Sequence, residues 1–204
     1  MNGESRSLET RRIGLFVLVA FGVAWVTGGV IYATGGLVDS PTVVSVGGIS
    51  LSLAGVLLPT TYMFAPAVGN VVTRLSTDEG WADLLVRPRL TGSLRYYAAG
   101  WLAPLVLTVL GAGLFFAVFP QYFDPSLSTF GRALAEQLGQ SVDPLTVAAL
   151  QIGAALTIAP VINALFAFGE EFGWRAYPLP KLVPLGTRRA ILILGVVWGA
   201  GTGR

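Results

Sequence analysis

Apolar positions along this chain fall in long unbroken runs rather than in the short alternations of half-buried elements. They cover about 13–34, 43–72, 96–119 and 145–169. Each run is long enough to cross a hydrocarbon layer as a helix, which takes roughly 20 residues. A fifth run begins near Ala190 and has only about 14 residues before the sequence turns to GTGR, short of that length. The pattern predicts an all-α fold, a polytopic transmembrane helix bundle with four full spans plus an incomplete fifth, forming a single membrane domain over 1–204. The short fifth run reads as a truncated end, because unpaired carbonyls at membrane depth are costly. The polar stretch GRALAEQLGQ between the third and fourth runs predicts a short interfacial helix. Pro160, inside the fourth run, predicts a kink that frees a carbonyl for Asn163 or a neighbour to satisfy.

Composition agrees with this pattern. The chain is 53% hydrophobic and 12% charged, with a mean hydropathy of +0.70, whereas soluble domains are about a quarter charged. Small residues let membrane helices approach closely, and Gly169 with Gly173, and Gly195 with Gly199, have the small-xxx-small spacing of such contacts. The polar N-terminus leads into a run long enough to span, so it predicts a retained first helix rather than a cleaved signal.

Charge then orients the helices. Arg6, Arg11 and Arg12 precede the first run, Arg74, Arg87, Arg89 and Arg95 follow the second, and Arg175, Lys181, Arg188 and Arg189 follow the fourth. The alternate loops carry only Arg132. Because Lys and Arg gather on the cytoplasmic side, the expectation is a multi-pass cell-membrane protein with a cytoplasmic N-terminus. The same distribution explains a pI near 9.2 without a nucleic-acid partner. Trp25, Trp81 and Trp101 are expected as interfacial anchors.

The chain has no His and no Cys. That removes the commonest general base and metal ligand, the Ser-His-Asp triad, thiol nucleophiles and disulfides. What remains is concentrated in NALFAFGEEFGWRAYPLPKL, at the end of the fourth run. Ionisable residues at such a place are functional candidates by default. On a helix Glu171 and Arg175 lie four apart and face each other. Glu170 is rotated one residue away and shares a face with Ala167, Trp174 and Tyr177. The spacing therefore separates an arginine-paired carboxylate from one left free against an aromatic wall, where it can take a proton from an attacking water. A salt-bridged cap where the helix meets water is the competing reading.

The stretch GEEFGWRAYPLPKL resembles the first motif of the CAAX protease and bacteriocin-processing family, also called the Abi family, of intramembrane endopeptidases. Glu170, Glu171, Arg175, Tyr177, Leu179 and Pro180 match its pattern, and Asn163, Phe166, Gly169 and the segment APAVGNVVTRL at 65–75 are similar to it. The resemblance implies a helix bundle with a polar cavity open to the cytoplasm. It implies Glu170 as the water-activating residue, with Glu171 and Arg175 in support. It further implies a peptide or protein substrate, prenylated or not, and in full-length relatives zinc. GVVWGA at 195–200 resembles the start of the second motif, with Trp198 in register, but the histidines of the second and third motifs are missing. A zinc site wants three protein ligands. Glu170 is at most a partial contributor, so no cofactor and no activity are expected of this chain alone. A non-catalytic immunity or peptide-binding membrane protein is the alternative, and a transporter fragment a more distant one.

Overall fold

The structure is a computed structural model that describes residues 9–46, 49–84 and 91–201. Arg6, Arg87, Arg89 and the last three residues of the GTGR ending, each used in the sequence reading, lie outside the described residues. The chain is mostly helical, and it divides into two compact units, one formed by 1–85 with 163–204 and the other by 86–162.

In the first unit, helix α1 (Thr10–Ala33) buries Phe16, Ala20, Ala24, Thr27 and Ile31, spaced about one helical turn apart, while the rest of its surface is largely exposed. The buried stripe packs on α3 (Ala65–Ser76). The crossing is close at Gly69, where an added Cβ would lie 3.0 Å from the Phe16 carbonyl oxygen and 3.1 Å from the Ala20 methyl.

The second apolar run departs from the single span expected over about 43–72. Strands β1 (Thr42–Val46) and β2 (Ile49–Ser52) pair antiparallel, with Ser45 opposite Ser50 and Val46 opposite Ile49. Their β-branched residues are as apolar as a membrane helix, so hydropathy alone merged them with the helix that follows. That helix begins at α2 (Leu53–Leu57), where the Ser52 hydroxyl accepts from the Gly55 N–H at 3.1 Å. It passes through a π-helical turn at Leu58–Tyr62, which carries Pro59, and resumes in α3.

The remaining elements of this unit are the main part of α7 (Ile158–Trp174), the short α8 (Pro178–Leu182) and α9 (Thr187–Gly201). The fourth span was expected to end at about 169. Instead α7 continues for another turn, which places Glu170 and Glu171 within the helix. The core of the unit is aromatic. Phe16 lies edge-on to Trp174 with ring centroids 5.1 Å apart and stacks on Tyr177 at 5.4 Å, and Trp174 stacks on Trp198 at 6.3 Å.

The second unit contains α4 (Leu94–Val118), α5 (Ser128–Leu138), α6 (Pro144–Leu156) and the first residues of α7. None of the residues of α4 is buried. Helix α5 occupies the predicted interfacial segment. The Asp124 carboxylate accepts from the Thr129 N–H at 2.9 Å and from the Ser128 hydroxyl at 2.8 Å, and the Ser126 hydroxyl also donates to it. These bonds, that from Ser126 foremost, hold the carboxyl well below its usual range. Asp143 caps α6 by accepting the Thr146 N–H at 3.0 Å.

The fourth run is broken at Thr157, so the helix expected over 145–169 is two helices. Pro160 has no N–H to give the carbonyl four residues back, that of Leu156. The Trp101 indole N–H supplies the missing donor at 2.9 Å. Trp101 was expected as an interfacial anchor, and the structure shows it as this hydrogen-bond donor.

Three helical stretches, Thr10–Ala33, Leu53–Ser76 and Leu94–Val118, are long and apolar enough to cross a bilayer, and Pro144–Leu156 with Ile158–Leu185 makes a fourth if the broken pair is one span. These helices mark the chain as a membrane protein.

Candidate functional site

The last turns of α7 separate the three sequence-predicted site residues. Glu171 Oε2 meets Arg175 Nε at 2.5 Å, with side chains 43% and 68% exposed. This is the i,i+4 pair that the spacing predicts, and it lies on the outside of the unit. Glu170 is half-buried and faces the other way, lining a cavity with Trp174. Helix α1 contributes Ala20, Phe21 and Ala24 to the walls, the α2–α3 segment contributes Tyr62, Ala65 and Pro66, and α9 contributes Trp198 and Gly201. The cavity measures about 20 Å³, room for roughly one water molecule. Glu170 is the one carboxylate on its walls among the described residues.

Two glycines of α7 allow this enclosure. A Cβ at Gly169 would come within 2.8 Å of the Phe64 ring, and one at Gly173 would overlap Pro66. The small-residue spacing read from the sequence therefore marks a close approach of α7 to the start of α3. At Gly195 an added methyl meets nothing within 4 Å, so the second pair lacks that role there.

Sequence reasoning missed a polar network below the cavity. Arg74, taken as a loop cation, is 1% exposed and the largest fully buried side chain among the described residues. Its guanidinium forks onto Asp83 at 2.8 and 3.0 Å and donates from Nε to Asn70 Oδ1 at 2.8 Å. It also donates to the Gly80 carbonyl and lies 5.3 Å from the centre of the Tyr177 ring and 5.7 Å from that of Trp81. The Arg74 hydrogen bond holds the Asp83 carboxyl below its usual range. Asn70 in turn donates from Nδ2 to the Phe172 carbonyl at 2.8 Å.

A second set of charges adjoins the first. The Tyr177 hydroxyl donates to Glu79 at 2.8 Å, and Lys181 bridges Glu79 and Glu9, the latter at 2.9 Å. Arg12 pairs with Glu9 at 2.7 Å. Arg12 and Lys181 together hold the Glu9 carboxyl below its usual range. Buried polar groups need partners, and among the described residues no buried side-chain nitrogen or oxygen lacks one. One signal was present in the sequence: Asn70 and Arg74 lie four apart on one helix face. The links to Asp83, Phe172 and Tyr177 come from distant segments and left no local trace.

Zinc, implied by the resemblance for full-length relatives, does not fit these residues. Among the described residues no three His, Cys, Asp or Glu side chains gather as a metal site. The cavity offers one carboxylate where three protein ligands are needed.

Compared with protein-family models, with curated proteins and with solved structures, the chain matches none of the three.

Proposed function

We propose that the chain carries the water-activating part of a membrane-embedded CAAX-type endopeptidase, with Glu170 as general base near the cytoplasmic face. The observation that carries this reading is the division of labour on α7. Glu171 and Arg175 neutralise each other outside, and Glu170 alone of the pair lines a cavity of about one water's volume between aromatic rings. A water there lies within hydrogen-bond reach of a carboxylate, the geometry that general-base catalysis requires. Glu170 takes a proton from the water as its oxygen attacks the peptide carbonyl carbon. The tetrahedral intermediate collapses with cleavage of the C–N bond, and Glu170 returns the proton to the leaving amine.

The negative oxygen of that intermediate needs donors. No cation lines the cavity among the described residues. The donors are therefore assigned to the histidine motifs that the resemblance implies. Trp198 lines the cavity, and it falls where the resemblance implies the start of the second motif, which supports the assignment. In this reading four spans cross the membrane, the N-terminus is cytoplasmic and the substrate is a peptide or protein reaching the inner membrane face. The bare cavity wall also favours a second reading, a peptide-binding or immunity protein that does not cut.

The test uses a form extended to carry the second and third motifs, reconstituted in liposomes with prenylated and unprenylated CAAX-type peptides. Glu170→Gln is expected to abolish cleavage with insertion intact. Unchanged cleavage removes Glu170 from the mechanism, and no cleavage by the extended parent leaves the binding reading.

A further inference from the structure

We infer that Asn70 and Arg74 are positioning residues for Glu170, holding the last turn of α7 in the register that turns this carboxylate into the cavity. The inference rests on Glu170 as the working group, but the contacts that carry it are independent of any chemistry. A helix ends with four carbonyls that lack intrahelical partners. In α7 the Glu171 carbonyl takes the Arg175 N–H at 2.9 Å, and the Gly173 carbonyl takes the Tyr177 N–H at 3.2 Å. The Phe172 carbonyl between them is taken by the Asn70 side chain, from a residue 102 positions earlier in the chain.

Asn70 is itself fully buried and has no freedom to turn away, because its Oδ1 accepts from Arg74 Nε. Arg74 is fixed in the same way by the forked bond to Asp83 and the Gly80 carbonyl. A rigid line of contacts thus runs from the 77–84 segment through α3 to a carbonyl two residues from Glu170. Rotating α7 by one residue would break it and would carry Glu170 off the cavity wall. Gly169 and Gly173 let α7 lie close to α3 and limit its rotation, since a side chain turned toward Pro66 or Phe64 would clash. The Asn70 amide adds a directional bond to that constraint, to the Phe172 carbonyl. An asparagine is suited to the task because it accepts from the arginine and donates to the carbonyl at once.

Hydrogen exchange of the full chain in detergent micelles tests the inference. Asn70→Asp keeps the acceptor for Arg74 and loses the donor to Phe172. The expected result is an exchange rate at residues 171–177 raised about fivefold or more, the shift in local opening that one lost hydrogen bond produces, with α1 residues 13–31 unchanged. No local rise, or an equal rise over α1, overturns the inference. If Asn70→Asp does not fold, Asp83→Asn loosens the same line from its exposed end and is expected to give a smaller rise confined to 171–177. No rise there overturns the inference equally. Neither result depends on peptide cleavage, so failure here is separate from failure of the Glu170→Gln test.

Discussion

The indole N–H of Trp101 donates to the carbonyl of Leu156, which Pro160 leaves without its helical partner. In a membrane an open carbonyl finds no water, so this one bond closes the break at Thr157. Trp101→Phe keeps the ring and removes the donor. It is expected to lower stability by about 1 kcal/mol, the size of a side-chain hydrogen bond within membrane proteins. Thermal unfolding in detergent measures it. A Trp101→Phe/Pro160→Ala double variant, in which the helix can supply its own N–H, is expected to recover most of the loss.

Arg74 is a buried cation met by one carboxylate, one side-chain amide and one backbone carbonyl. Arg74→Met removes a charge that is fully desolvated and leaves Asp83 to the solvent it already meets. Asp83→Ala leaves the cation buried and unpaired, which costs up to about 3–5 kcal/mol in an enclosed site and less here because Asp83 is largely exposed. The expected order of stability is parent, then Arg74→Met, then Asp83→Ala. Arg74→Lys loses the fork and is expected to fall below the parent as well. Denaturation midpoints of the four proteins in one detergent rank them.

The same pair and its neighbour set the acid response. Asp83 and Glu9 are both held below their usual range by hydrogen bonds, Asp83 from Arg74 and Glu9 first from Arg12 and then from Lys181. A carboxyl lowered by folding stabilises the folded state fully above its unfolded value, about 4, and loses that contribution as pH falls through its lower folded value. Stability is expected to be level from neutral pH down to about 5, and to fall below about 4. In Asp83→Asn that fall is expected to be shallower. Unfolding midpoints measured between neutral and acid pH check both the window and the sign.

The glycines separate close packing from mere composition. Gly173→Ala drives a methyl into Pro66 and is expected to cost about 1–3 kcal/mol or more, because neither backbone can withdraw without disturbing the cavity. Gly195→Ala meets open space within helix α9 and is expected to leave stability unchanged or raise it by up to about 1 kcal/mol, the gain in helix propensity. Paired melting curves of the two variants decide it. Equal effects would contradict the contact between α7 and the start of α3.

How much was legible depended on whether a feature is local. Helices α1 and α4 were readable because a continuous apolar run of their length has few other uses. The run at 43–72 was not, because hydropathy does not register period. TVVSV and ISLS are β-branched segments on either side of Gly47 and Gly48, a pairing that signals a hairpin. The Glu171–Arg175 pair was readable because four residues on a helix fix it. Arg74 was misread because a cation near a span's end is ordinarily solvated, and the carboxylate that pairs with it here, Asp83, comes from the next segment. Trp198 was expected from the resemblance to the second motif. That it faces the same cavity as Glu170 is tertiary information carried by the packing of α9 on α1 and α8.

Everything proposed for this site requires that Glu170 look into the narrow cavity between the helices while its neighbour does not. The chain has no cysteine of its own, so single replacements report directly. Glu170→Cys and Glu171→Cys are each exposed to a membrane-impermeant maleimide under identical folded conditions. A reagent far larger than one water molecule meets the packed walls of that narrow space before it meets the side chain at 170. The Glu171→Cys protein is therefore expected to react at least about tenfold faster than the Glu170→Cys protein, with the difference lost on unfolding. Equal rates in the folded chain would contradict the placement of Glu170 on the cavity wall.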